Sequence, residues 1–146
     1  MKYEWIDSYL LAKAGISKNL QTEWNWIRYV IDGKMCVAVC LDEQDNPYYI
    51  TLKLRPENGM DLQEQHEDII PGYYMNKKHW NSIKVNGSIS DQLLKDMLDE
   101  AYELVLSSFS KKKTVRDIIF IIKRGILMKR CIGMTGIVWK FKGGLK

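Results

Sequence analysis

Trp24-Asn25-Trp26-Ile27-Arg28-Tyr29-Val30-Ile31-Asp32-Gly33-Lys34-Met35-Cys36-Val37-Ala38-Val39-Cys40-Leu41 is the stretch that decides the fold. A run rich in aromatic and β-branched residues and a return run rich in Val and Cys flank Asp-Gly, a pair that tolerates positive φ at both central positions of a type I′ turn. This predicts an antiparallel hairpin, 24–31 and 34–41. Downstream, Asp45-Asn46-Pro47 is a turn, and Tyr48 to Leu54 alternates. Ile50, Leu52 and Leu54 share one face; Tyr49, Thr51, Lys53 and Arg55 share the other.

Helices lie on both sides of these strands. Upstream, Trp5, Ile6, Tyr9 and Leu10 form one apolar stripe in a helix over 3–14, stopped by Gly15. Downstream, Pro56 begins a helix to about Glu67. Ile69 to Met75 is a short extended segment around Pro71-Gly72, and His79 to Val85 is another strand, closed by Asn86-Gly87. Ser90 is a good N-cap, and Leu93, Leu94, Met97, Leu98, Ala101, Tyr102 and Val105 make an apolar stripe to Phe109. The order is helix, three strands, helix, two strands, helix. Tight hairpins imply an antiparallel sheet of about five strands with helices on one face, a two-layer α+β sandwich.

The chain has 146 residues, of which 46% are apolar and 27% charged, as expected for one globular domain. No stretch approaches the roughly 20 uninterrupted apolar residues of a membrane span. Met1 to Leu11 carries Glu4 and Asp7 and lacks a signal-peptide core, so a cytoplasmic protein is the expectation. Three cysteines do not make a disulfide framework.

The net charge of +4 conceals two opposite parts. Residues 1–109 hold 11 basic and 17 acidic residues, net −6; residues 110–146 hold 11 basic residues and only Asp117, net +10. The reading is therefore a domain over 1–110 and a basic extension over 111–146. Four roles stay open for the extension. It could be a nucleic-acid arm, or a peripheral membrane element with Val115, Ile118, Ile119, Ile122 and Ile126 on one face. It could be a structural piece in which Ile137-Val138-Trp139 forms a strand, or a non-native extension.

Several stretches resemble the MmcQ/YjbR family of small bacterial proteins. They are Asp32-Gly33-Lys34-Met35, Ile50-Thr51-Leu52-Lys53-Leu54-Arg55-Pro56, Pro71-Gly72-Tyr73-Tyr74-Met75-Asn76-Lys77-Lys78-His79-Trp80-Asn81-Ser82-Ile83, and Ala101-Tyr102-Glu103-Leu104-Val105. The resemblance covers roughly residues 3–112. It implies a frataxin-like (CyaY-like) fold and DNA binding through a double-wing arrangement.

The residues exclude several chemistries and favour one binding mode. Cys36 and Cys40 would stand about 13 Å apart on a regular strand at about 3.3 Å per residue, too far for one zinc with bonds of about 2.3 Å. His66 and His79 lack nucleophile partners or a second zinc ligand in a recognisable motif, and there is no Gly-rich phosphate loop. Glu64, Glu67 and Asp68 beside His66 read as a solvated helix face rather than an iron site. No catalytic, metal or cofactor residue is assigned, and no small-molecule substrate is identified. The candidate nucleic-acid residues are Lys53, Arg55, Lys77, Lys78, His79 and Trp80, where cations neutralise phosphate and an aromatic ring can stack on a base. Packing residues and solvated charge are the plain alternative. The functional expectation is a non-enzymatic DNA-binding protein of weak sequence preference. The alternative is a protein-interaction adaptor whose acidic body meets a basic partner.

Overall fold

The computed structural model describes residues 2–72 and 75–110, with no side-chain description of Ser110. The extension 111–146, with Cys131 and the proposed apolar face and strand, lies outside the described residues. The elements are α1 (Ile6–Leu11), β1 (Ile16–Gln21), β2 (Trp26–Ile31), β3 (Lys34–Leu41), β4 (Pro47–Lys53), α2 (Pro56–Gln65), β5 (Ile69–Pro71), β6 (Trp80–Lys84) and α3 (Asp91–Ser110). Six strands form one sheet in the order β1-β2-β3-β4-β6-β5, and every neighbouring pair is antiparallel. The α+β architecture expected from the sequence is present.

The β2–β3 hairpin turns at Asp32 and Gly33, with φ of 45° and 84°, the left-handed values of a type I′ turn. Between Tyr29 and Val30 the register with β3 shifts, leaving Cys36 as the extra residue of a bulge. β1 is the strand that the sequence pattern does not announce. Only Ile16 of its six residues is buried, so it joins the sheet through backbone pairing with β2 and shows no alternating apolar signature.

The helices cover one face. Ile50, Leu52 and Leu54 meet Val37, Val39, Tyr29 and Ile83, and this face carries Ile6, Leu10, Leu94, Met97, Leu98, Ala101, Val105 and Phe109. Leu94 and Leu98 have no exposed surface, and full burial of such a side chain contributes about 1.5–3 kcal/mol. Ser90 caps α3, its hydroxyl accepting from the Leu93 amide at 3.2 Å. Two buried phenols tie distant chain segments to this layer. Tyr3 donates to the Ile89 carbonyl at 2.7 Å and Tyr102 to the Ala14 carbonyl at 2.6 Å. Among the described residues no helix is long and apolar enough to cross a membrane.

Candidate nucleic-acid interface

The second face of the sheet is built by the alternate residues of the same strands. Cross-strand pairs put Trp80 beside Lys53, Ser82 beside Thr51 and Lys84 beside Tyr49. Further across, Thr51 faces Ala38 and Tyr49 faces Cys40 on β3. Thr51, Ser82, Ala38 and Cys40 are buried, whereas Lys53, Tyr49 and Trp80 are half-buried and Lys84 is exposed. The Thr51 and Ser82 hydroxyls lie 3.0 Å apart, and the Cys40 Sγ is 3.7 Å from the Thr51 Oγ1. Thr51 is thus committed to internal hydrogen bonding, as a buried hydroxyl must be.

Trp80 is fixed from both sides. The Gly72 amide donates to the Trp80 carbonyl at 2.7 Å. A Cβ at position 72 would lie 2.8 Å from the Trp80 Cβ and 3.0 Å from its carbonyl oxygen, so only glycine permits this approach. The turn that enters β6 is held by Asn76. Its side-chain oxygen accepts from the Lys78 amide at 2.9 Å and its carbonyl from the Trp80 amide at 3.0 Å. The His79 carbonyl accepts from the Leu54 amide at 2.9 Å, anchoring the turn to the end of β4. Lys77 and Lys78 are exposed and His79 is half-buried.

The structure pairs Lys53 with Trp80, places Lys77, Lys78 and His79 on the turn that leads into Trp80, and takes Arg55 off the β4 face. β4 ends at Lys53 and Arg55 is the N-cap of α2. Its amide donates to Glu100 Oε2 at 2.8 Å, and its guanidinium lies 3.5 Å from Glu100 Oε1. Glu100 also accepts from Asn58 Nδ2 at 2.7 Å. Arg55 belongs to a contact between α2 and α3, and its expected place on the Lys53 face is corrected. Lys84 shares the Trp80 face but pairs with Tyr49, at the other end of the β4–β6 ladder. The Trp80, Ser82, Lys84 alternation could have revealed it.

The two described cysteines stand in different environments. The bulge sends Cys36 into the main core, while Cys40 joins Trp26 and Ala38 on the second face. Burial pushes the Cys36 thiol up to about 12, against the opposing effect of Lys53. Burial likewise raises Cys40 to about 11, partly offset by its contact with Thr51. Neither supplies a thiolate at neutral pH. Asp68 lies beyond α2 rather than on its face. Its carboxylate accepts from the Ser88 amide at 2.9 Å and hydroxyl at 3.2 Å, and these bonds lower its pKa, the backbone one most.

Comparison with known proteins follows the same outline. The profile of the YjbR family matches residues 11–104. The chain belongs to the YjbR family. The YjbR protein of Escherichia coli K12 is 26% identical over 105 residues, covering 72% of this chain and 87% of that protein. The YbdF protein of Escherichia coli O157:H7 is 37% identical over 68 residues, covering 47% of this chain and 56% of that one. Among solved structures, a DUF419 protein of Deinococcus radiodurans superposes with a TM-score of 0.67 at 23% identity, covering 80% of this chain and 84% of that chain. A Pseudomonas syringae protein gives 0.60 at 19% identity, covering 71% and 98%. These structural likenesses establish the YjbR fold.

Proposed function

We propose that this YjbR-family chain is a non-enzymatic DNA-binding protein whose body meets the duplex at the corner of the sheet formed by β4, β6 and the turn before β6. The observation that carries the proposal is the cross-strand pairing of Lys53 with Trp80, with Lys77 and Lys78 exposed on the turn leading into that tryptophan. Such a cluster gives phosphate a local site of positive charge beside an aromatic surface. The body as a whole carries net −6 and the extension net +10. Long-range attraction to DNA then comes chiefly from residues 111–146, and the corner supplies a short-range contact. Binding of this type is weakly sequence-selective, with Kd of about 10⁻⁴–10⁻⁶ M and a steep dependence on salt.

The test is fluorescence anisotropy of a labelled duplex with the full chain, the Lys77→Glu, Lys78→Glu double variant, and a chain ending at Ser110. Salt-sensitive binding weakened by the Lys77→Glu, Lys78→Glu pair supports the corner; binding weakened by truncation alone assigns the contact to residues 111–146 and overturns it. Absence of salt-sensitive binding by the full chain removes DNA from the account. The adaptor reading is favoured by a different observation: Glu23, Asp42 and Glu43 stand beside Trp24, Tyr48 and Tyr49 at the other end of the sheet.

A further inference from the structure

The end of the second face opposite the Lys53–Trp80 corner has a different chemistry. Trp24 and Trp26 meet edge to face with centroids 5.3 Å apart, and Tyr48 and Tyr49 lie at 5.0 Å. Glu23, Trp24, Trp26, Tyr48 and Met75 line a cavity of about 490 Å³. A neighbouring one of about 570 Å³ runs past Trp24, Tyr48 and Tyr49 to Asp42 and Glu43. No lysine or arginine is among the described residues lining either cavity.

Two turns form the walls, and they are latched to each other. Asn25, from the β1–β2 turn, donates through Nδ2 to the Asp42 carbonyl at 3.0 Å and to Asp45 Oδ1 at 2.8 Å. Its own carbonyl accepts from the Leu41 amide at 3.0 Å. The floor is firm, since Trp26 is 3% and Cys40 1% exposed, while Trp24 keeps 53% of its surface in solvent. Asp42 Oδ1 already accepts from the Gln44 and Asn46 amides. Glu23 and Glu43 are exposed and form no ion pair among the described residues. Lys84, across from Tyr49, bounds the group on the β6 side.

We propose that this slot binds a lysine or arginine side chain presented by a basic peptide. Aromatic faces attract a cation through their quadrupoles. The carboxylates at the rim complement it, and they oppose both phosphate and a purely apolar partner whose docking would desolvate them. The alkyl stem of the cationic side chain lies along the rings while its head meets Glu23 and Glu43. The slot uses none of the residues assigned to the DNA surface, so it stands or falls independently of that reading.

The experiment is a titration of the ¹⁵N-labelled full chain with N-acetyl-tetralysine amide, read at the indole N–H of Trp26, which lines the same cavity and is kept in every variant, with tetraglutamate and tetraglycine peptides as controls. The expected result is a saturable shift with the lysine peptide alone, weakened at least about fivefold by Trp24→Ala. The Glu23→Gln, Glu43→Gln double variant should weaken it and flatten its salt dependence. Lys77→Glu with Lys78→Glu should not weaken it, since neither lysine is among the described residues lining the slot. No saturable shift, equal binding of the controls, or full affinity in both slot variants overturns the proposal.

Discussion

Gly72 and Trp80 are in backbone contact, the glycine amide 2.7 Å from the tryptophan carbonyl with no room for a Cβ between them. Gly72→Ala should therefore force β6 and the β5–β6 link apart. The expected cost is about 1–3 kcal/mol, the usual range for overpacking, read as a lower urea midpoint. A midpoint equal to the parent protein would show that the contact yields without strain.

The helix layer gives a larger effect. Leu94 is fully buried and Met97 is 2% exposed, so aspartate at either position buries a charge with no partner. Leu94→Asp and Met97→Asp should each destabilise by about 3–5 kcal/mol. Thermal melts that leave both variants unchanged would contradict the packing of α3 on the sheet.

Alkali should weaken the fold as its buried phenols and thiols ionise. Tyr3, Tyr9, Tyr29 and Tyr102 all have pKa values raised above 10.0, chiefly by burial. Tyr9 reaches about 12, helped by its 2.7 Å hydrogen bond to Asp99. A phenol raised in the folded state adds stability that is whole below the unfolded pKa and is lost as pH climbs through the folded one. For Tyr9 that window is pH 10 to 12. Urea midpoints should fall across it, and Tyr9→Phe should make the decline shallower. An equally steep decline in Tyr9→Phe would assign the loss to other groups.

The thiols make a chemical test of burial. Cys36 and Cys40 are held up to about 12 and about 11 by burial. At about pH 8 iodoacetamide should spare both in the native protein and alkylate both in urea, as read by peptide mass mapping. Rapid native labelling of Cys36 would place it outside the core.

The parts of the fold written in local pattern were legible in the sequence. Asp32-Gly33 specified its turn, and the stripe from Leu94 to Val105 specified the buried side of α3. β1 was not legible, because an edge strand with one buried side chain has no alternation to read. The bulge at Cys36 was hidden for a related reason: an extra residue interrupts the period-2 rule without changing composition. At the candidate site, alternation put Lys53 on the correct face and mis-set Arg55. The acceptor that captures Arg55 is Glu100, 45 residues away and unmarked by local spacing. The acidic aromatic slot was equally hidden. Its residues come from the β1–β2 and β3–β4 turns, the adjoining ends of β2 and β4, and Met75, and Asn25 ties the two turns together.

The central claim is that the Lys53–Trp80 corner touches DNA phosphate, and the salt dependence of binding tests it most directly. Anisotropy of a labelled duplex should be followed from about 50 to 200 mM salt for the full chain, Lys53→Glu, and the Lys77→Glu, Lys78→Glu pair. The account predicts that log K falls linearly with log salt concentration. It also predicts a slope shallower by about one unit for each phosphate-contacting lysine removed. Slopes and affinities identical in all three proteins would contradict it and confine any DNA contact to other residues.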